Sequence, residues 1–194
     1  MKRRKIMFIV VSLIIVFTLS ACGGNTDKEK ANEGTTSDES TQMDHANMDH
    51  SSSGEVPNDL KTAENPTYKV GSKVIIKEGH MEGMKGAEAT VVGAYDTVAY
   101  AVSYNPTTSG ERVTNHKWVI HEEIPEAGAK PLQPGAEVTL EASHMSGMDG
   151  ATAEIDSAEK TTVYMIDYTP TTGGEKVTNH KWVTESELAP LENK

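Results

Sequence analysis

Methionine beside histidine recurs along this chain. Met43-Asp-His45 and Met48-Asp-His50 stand in a polar stretch, and His80-Met-Glu-Gly-Met84 and His144-Met-Ser-Gly-Met148 stand in two matching segments further on. Thioether sulfur favours Cu(I), and imidazole accepts Cu(I) or Cu(II), so the pattern points to copper, taken as Cu(I). A thioether has no proton to lose, and outside the cell it outlasts a free thiol as a soft ligand. Glycine at 83 and 147 lets each loop turn tightly enough for its flanking side chains to converge on one ion.

Each of these residues also has a plainer reading. Met84 and Met148 hold a place where an apolar residue tucks under a first hairpin, and Met is a common gap filler there. Met81 and Met145 stand nearer a loop tip, where with His80 and His144 a ligand role is expected. Met43, His45, Met48 and His50 have no core to join, so a flexible metal collector is expected of them. His116 and His180 occur in Asn-His-Lys-Trp runs, two residues before Trp118 and Trp182 and so on the same face of a strand. They are read as structural histidines or as supports behind the ligands. No Gly-x-Ser-x-Gly, His-Glu-x-x-His or phosphate loop occurs, so a binding protein is expected rather than an enzyme.

The elements that must position these groups come twice. Residues 71–124 match residues 135–188 without a gap, and roughly half the aligned positions are identical, far above chance. The longest shared run, Val-Thr-Asn-His-Lys-Trp-Val, occupies 113–119 and 177–183. In the first copy 73–76, 89–92 and 98–104 are β-rich runs and 117–119 is a further strand; 105–110 and its counterpart 169–174 in the second copy are turns, and 121–124 and 185–188 close the two copies with one helical turn each. Five short strands in about 55 residues predict a small barrel. The glycine spacing from 71 to 86 is similar to the opening of KOW-type SH3-like barrels. The expectation is therefore an all-β chain: a signal over 1–21, a disordered Met/His-containing tether over 22–66, SH3-like repeats over 67–126 and 135–194, and a Pro- and Gly-rich linker over 127–134. One copy is near the lower size limit for independent stability, so the two are expected to pack together.

Lys2, Arg3, Arg4 and Lys5 precede an apolar run over 6–19 that is short for a membrane span. Leu19-Ser-Ala-Cys22 follows and resembles a bacterial lipobox. Cys22 is thus expected to carry a lipid, placing the mature chain on the extracytoplasmic face of the cell membrane. It is the single cysteine, so no intramolecular disulfide and no thiolate metal site can form. The net charge is −11, and it becomes more negative once the basic leader is lost; such a surface repels nucleic acid and attracts cations.

The doubled His-Met-x-Gly-Met-x-Gly-Ala and Thr-Asn-His-Lys-Trp-Val motifs, behind a lipobox and a Met-Asp-His tether, resemble the YdhK-like lipoproteins of Gram-positive bacteria over residues 66–190. Relatives of the CopL type are surface lipoproteins tied to copper tolerance, and the resemblance implies the same work here. Two alternatives stay open: an SH3-like interaction module for cell-wall peptides or a membrane protein partner, and a copper chaperone that hands its ion to another protein.

Overall fold

The computed structural model describes residues 51–191. Cys22, the signal over 1–21 and the Met43, His45, Met48 and His50 pairs lie outside the described residues.

Among the described residues, every regular element is a strand or a single 3-10 turn. β1 is Lys61–Thr62, β2 Lys73–Ile76, β3 Glu88–Tyr104, β4 Val113–Ile120, β5 Glu137–Thr139, β6 Thr152–Tyr168, β7 Val177–Thr184 and β8 Leu188–Pro190; the 3-10 turns are His121–Glu123 and Glu185–Glu187. The all-β class and the tandem repeat expected from the sequence are what the structure has. β2 and the closing turns fall where the residue patterns place them. β3 differs: the two runs at 89–92 and 98–104 join into one strand of 17 residues, and β6 repeats this in the second copy. The cause lies across the sheet, because β3 and β6 pair antiparallel over their whole length, from Ala89 opposite Tyr168 to Tyr104 opposite Ala153. Each strand supplies the backbone partners that local sequence could not reveal.

β4 pairs with β3 and β7 with β6, while β5 and β2 flank the ribbon and β8 adds to β2; these pairings do not run round into a ring. The antiparallel ribbon also decides where the cores form. At one end Val74, Ile76, Met84 and Val91 of the first copy pack on Tyr164, Ile166, Tyr168 and Val183 of the second. At the other end Tyr100, Val102, Tyr104 and Val119 pack on Val138, Leu140, Met148 and Ile155. Between them Trp118, Ile120, Val163, Met165 and Trp182 form a third cluster. Each core is therefore half one repeat and half the other, a closer union than two copies packed side by side.

Residues 51–66 require a correction to the tether boundary. Composition assigns them to a disordered tether, yet Leu60 and Ala63 are buried and β1 pairs with β3 at Lys61 opposite Asp96. Two well-spaced apolar side chains dock on a sheet that already exists, which a composition average cannot register.

Candidate metal centre

The four duplicated histidines converge. His80, His116, His144 and His180 line one cavity of about 410 Å³ together with Met81 and Met145. His121, which has no histidine counterpart in the second copy, stands apart, with Nδ1 2.8 Å from the Tyr100 hydroxyl and Nε2 2.7 Å from the Gly128 carbonyl oxygen.

The convergence follows from the exchanged halves. The loop carrying His80 and Met81 meets the 169–174 turn of the other repeat, where the Thr171 N–H donates to the Gly83 carbonyl at 2.9 Å. The Thr107 N–H donates likewise to the Gly147 carbonyl at 2.9 Å. Gly83 and Gly147 have φ of +76° and +77°, and an added Cβ at Gly83 would stand 2.7 Å from Pro170 Cβ and 2.8 Å from Thr172 Oγ1. Glycine there serves the turn, as expected, and also the close approach of the opposite repeat.

β4 and β7 supply the facing imidazoles. Each strand has a register shift against its partner near the histidine, and Asn115 and Asn179 take left-handed φ of 51° and 52°. These irregularities break simple strand alternation and turn the following segment inward. The rings of His80 and His180 stand 5.6 Å apart between centroids, with their Nε2 atoms 3.4 Å apart. The rings of His116 and His144 stand 6.4 Å apart. Each pair takes one histidine from each repeat.

Buried carboxylates hold the pairs from behind. Glu123 Oε1 lies 2.7 Å from His144 Nε2, and Glu123 also accepts from Trp182 Nε1 at 3.2 Å and from the Ile120 N–H at 3.1 Å. Glu187 accepts from Trp118 Nε1 at 2.8 Å and from the Thr184 N–H at 2.9 Å, and its Oε1 stands 3.7 Å from His80 Nδ1. Burial pushes Glu187 up, but the His80 imidazole, the Thr184 N–H and the Trp118 indole outweigh it and hold the carboxyl below its ordinary value. A carboxylate behind an imidazole fixes its orientation and raises its basicity toward an ion. The Nδ1 atoms of His80 and His144 are buried with no hydrogen-bond partner among the described residues. Lys117 and Lys181 also line the cavity; burial lowers the Lys181 amine, with Glu123 and Glu55 acting the other way.

The remaining sequence candidates divide clearly. Met81 and Met145 are half-buried at the cavity wall, and the Tyr104 hydroxyl approaches Met145 Sδ at 4.0 Å. Met84 and Met148 are fully buried in the two end cores instead, enclosed by alkyl and aromatic groups, so the ligand set read from the sequence loses these two. His116 and His180, read as supports, stand on the wall beside the expected ligands. The sequence reading missed Glu123 and Glu187. A signal was present: both copies keep Glu there while the two preceding positions change from His121 and Glu122 to Glu185 and Ser186.

Among the described residues, no group of three His, Cys, Asp or Glu stands close enough to hold a metal ion. Each histidine pair offers two imidazoles, and Met81 and Met145 line the same cavity. That set suits a soft ion of low coordination number better than zinc, which takes four donors. A metal–nitrogen bond of about 2.0 Å places two ligating nitrogens about 3.3 to 3.5 Å apart at tetrahedral to trigonal angles. The 3.4 Å between His80 Nε2 and His180 Nε2 lies within that range.

The family described as "Protein of unknown function (DUF1541)" matches residues 70–121 and again 134–185. The chain is 63% identical over 189 residues to "Uncharacterized protein YdhK" of Bacillus subtilis strain 168, covering 97% of this chain and 91% of that protein. The crystal structure of a DUF1541 family protein, ydhK of Bacillus subtilis, aligns with a TM-score of 0.72 at 70% identity over 76% of this chain and all of that one. A solution structure of the ydhK C-terminal domain from the same organism aligns with a TM-score of 0.60 at 74% identity, over 63% of this chain and 92% of that one.

Proposed function

The chain belongs to the DUF1541 family, and from its cavity we propose that it is a copper-binding protein, held at the outer face of the membrane by a lipid on Cys22, that limits the entry of copper. The observation that carries this reading is the gathering of His80, His116, His144 and His180 with Met81 and Met145 around one cavity. These residues lie far apart along the chain, and the pairing of the two repeats brings them to one space. Two imidazoles and a thioether suit Cu(I) without any thiol. Met43, His45, Met48 and His50 serve as a collector that supplies the cavity. The strongly acidic surface raises the local concentration of cations.

The test is an anaerobic titration of the soluble mature chain against a chromophoric Cu(I) chelator. A variant with His80, His116, His144 and His180 replaced by alanine should lose at least about tenfold in affinity, which is about 1.4 kcal/mol. An affinity unchanged in that variant, and unchanged again when Met81 and Met145 are also replaced, refutes the cavity as the copper site.

A further inference from the structure

The two long strands have unlike outer edges. β6 runs along one edge of β3, and on the other edge β1 fills the gap between β2 and β4, with Lys61 opposite Asp96 and Thr62 opposite Tyr95. The Ala63 N–H donates to the Ala94 carbonyl at 3.0 Å and extends the pairing. On β6 the corresponding gap covers residues 156–162, between β5, which pairs with 152–154, and β7, which pairs with 163–168. Among the described residues no strand fills it. The segment in the place of β1 turns away: Pro125 stands where Lys61 does and has no N–H to donate, and the Ala127 N–H donates back to the Ile124 carbonyl at 2.9 Å. Burial follows the pairing. Ala94 is 2% exposed beside β1, whereas its counterpart Ala158 is exposed, as are Ser157 and Lys160. Backbone donors and acceptors along such an edge are a template for another strand.

We propose that the recess at residues 156–162 is a docking site for a short extended segment of another protein, which adds to β6 as β1 adds to β3. The proposal is independent of the copper reading. Shape selects a short segment. β5 and β7 stand one strand spacing, about 4.8 Å, outward from β6 at either end of the recess, so the long β6 of a second copy cannot seat between them. Charge selects the residues of the segment. On β3, Lys61 faces Asp96 and Ala63 meets Ala94; the matching positions on β6 are Lys160 and Ala158, with Glu159 between them. An antiparallel segment that reads acidic, basic, small therefore sets a carboxylate against Lys160, a cation against Glu159 and a small side chain against Ala158. Neither Glu159 nor Lys160 forms an ion pair among the described residues, which leaves both charges for a partner. Main-chain bonds supply the affinity and these side chains the selectivity.

The experiment titrates the mature, isotope-labelled chain carrying Cys22→Ser, without copper, with the capped peptide Thr-Leu-Glu-Lys-Ala-Thr, and reads amide chemical shifts. The expected result is saturable shifts centred on residues 156–162, with a dissociation constant of about 1 mM. The peptide with its charges exchanged, Thr-Leu-Lys-Glu-Ala-Thr, should bind at least about fivefold more weakly. Glu159→Lys with Lys160→Glu should invert that preference, which a mere disturbance of the strand would not do. No saturable shift with the first peptide up to about 10 mM, shifts centred elsewhere, equal binding of the two peptides, or a preference that the charge-exchanged variant keeps each overturns the proposal and leaves the copper reading untouched. The two peptides on the parent recess decide the matter even where the variant fails to fold.

Discussion

Replacing Gly83 by alanine tests whether the union of the two repeats is what shapes the site. Two costs arise there. A non-glycine residue at φ of +76° sits in the left-handed region, at about 1 kcal/mol. The new Cβ would also stand 2.7 Å from a ring carbon of Pro170, which cannot swing aside as a flexible side chain would. Relief requires the 80–86 loop and the 169–174 turn to part, and overpacking of that kind costs about 1 to 3 kcal/mol. The expected loss for Gly83→Ala is therefore about 2 to 4 kcal/mol. Gly86 is the internal control: its φ is +81°, but nothing lies within 4 Å of an added Cβ, so Gly86→Ala should cost only the backbone term. Urea unfolding of the mature chain measures both, and heat denaturation should show the same order, at roughly 3 °C per kcal/mol. Because His80 and Met81 ride on the displaced loop, Gly83→Ala should also weaken Cu(I) binding, whereas Gly86→Ala should not. If the two variants lose the same stability within about 0.5 kcal/mol, the contact between the repeats is not what Gly83 serves, and the account of how His80 meets His180 fails.

Three further outcomes follow from the same geometry. Met84→Leu with Met148→Leu should cost less than about 1.5 kcal/mol per site and leave copper binding unchanged, while Met81→Leu with Met145→Leu should lower Cu(I) affinity at little cost in stability; chelator competition beside urea unfolding separates the two pairs. Glu187 is held below the ordinary carboxylate range by the His80 imidazole, the Thr184 N–H and the Trp118 indole, so its ionised form favours the folded state at neutral pH and that contribution is lost as pH falls below that range. Glu187→Gln should accordingly be less stable than the parent near pH 7 and approach it near pH 3, as followed by urea midpoints across that range. Cys22→Ser should release the protein from membranes, and a variant that still sediments with membranes after a salt wash would refute the lipid anchor.

Much of this protein is legible in its residues. The duplication, the all-β class, β2, the turns around 105–110 and 169–174 and the closing turns all follow from local patterns, since glycine placement, branched side chains and repeated motifs act over a few residues. The same holds for the chemistry of the ligands, because Met and His carry their donor character wherever they sit. The pairing of β3 with β6 is of another kind. Alternation tells which side of a strand is buried but not which strand lies opposite, since the backbone groups that join strands are the same at every residue. That choice is made by the whole chain, and it sends half of each repeat into its neighbour's core. From it follow the meeting of His80 with His180 and of His116 with His144, the retreat of Met84 and Met148 into packing, and the capture of each Trp indole by the other repeat's glutamate. The sequence by itself determined which donors exist and that each exists twice; the tertiary structure alone decided which of them face one another, because facing is set by long-range strand pairing that no local stretch encodes.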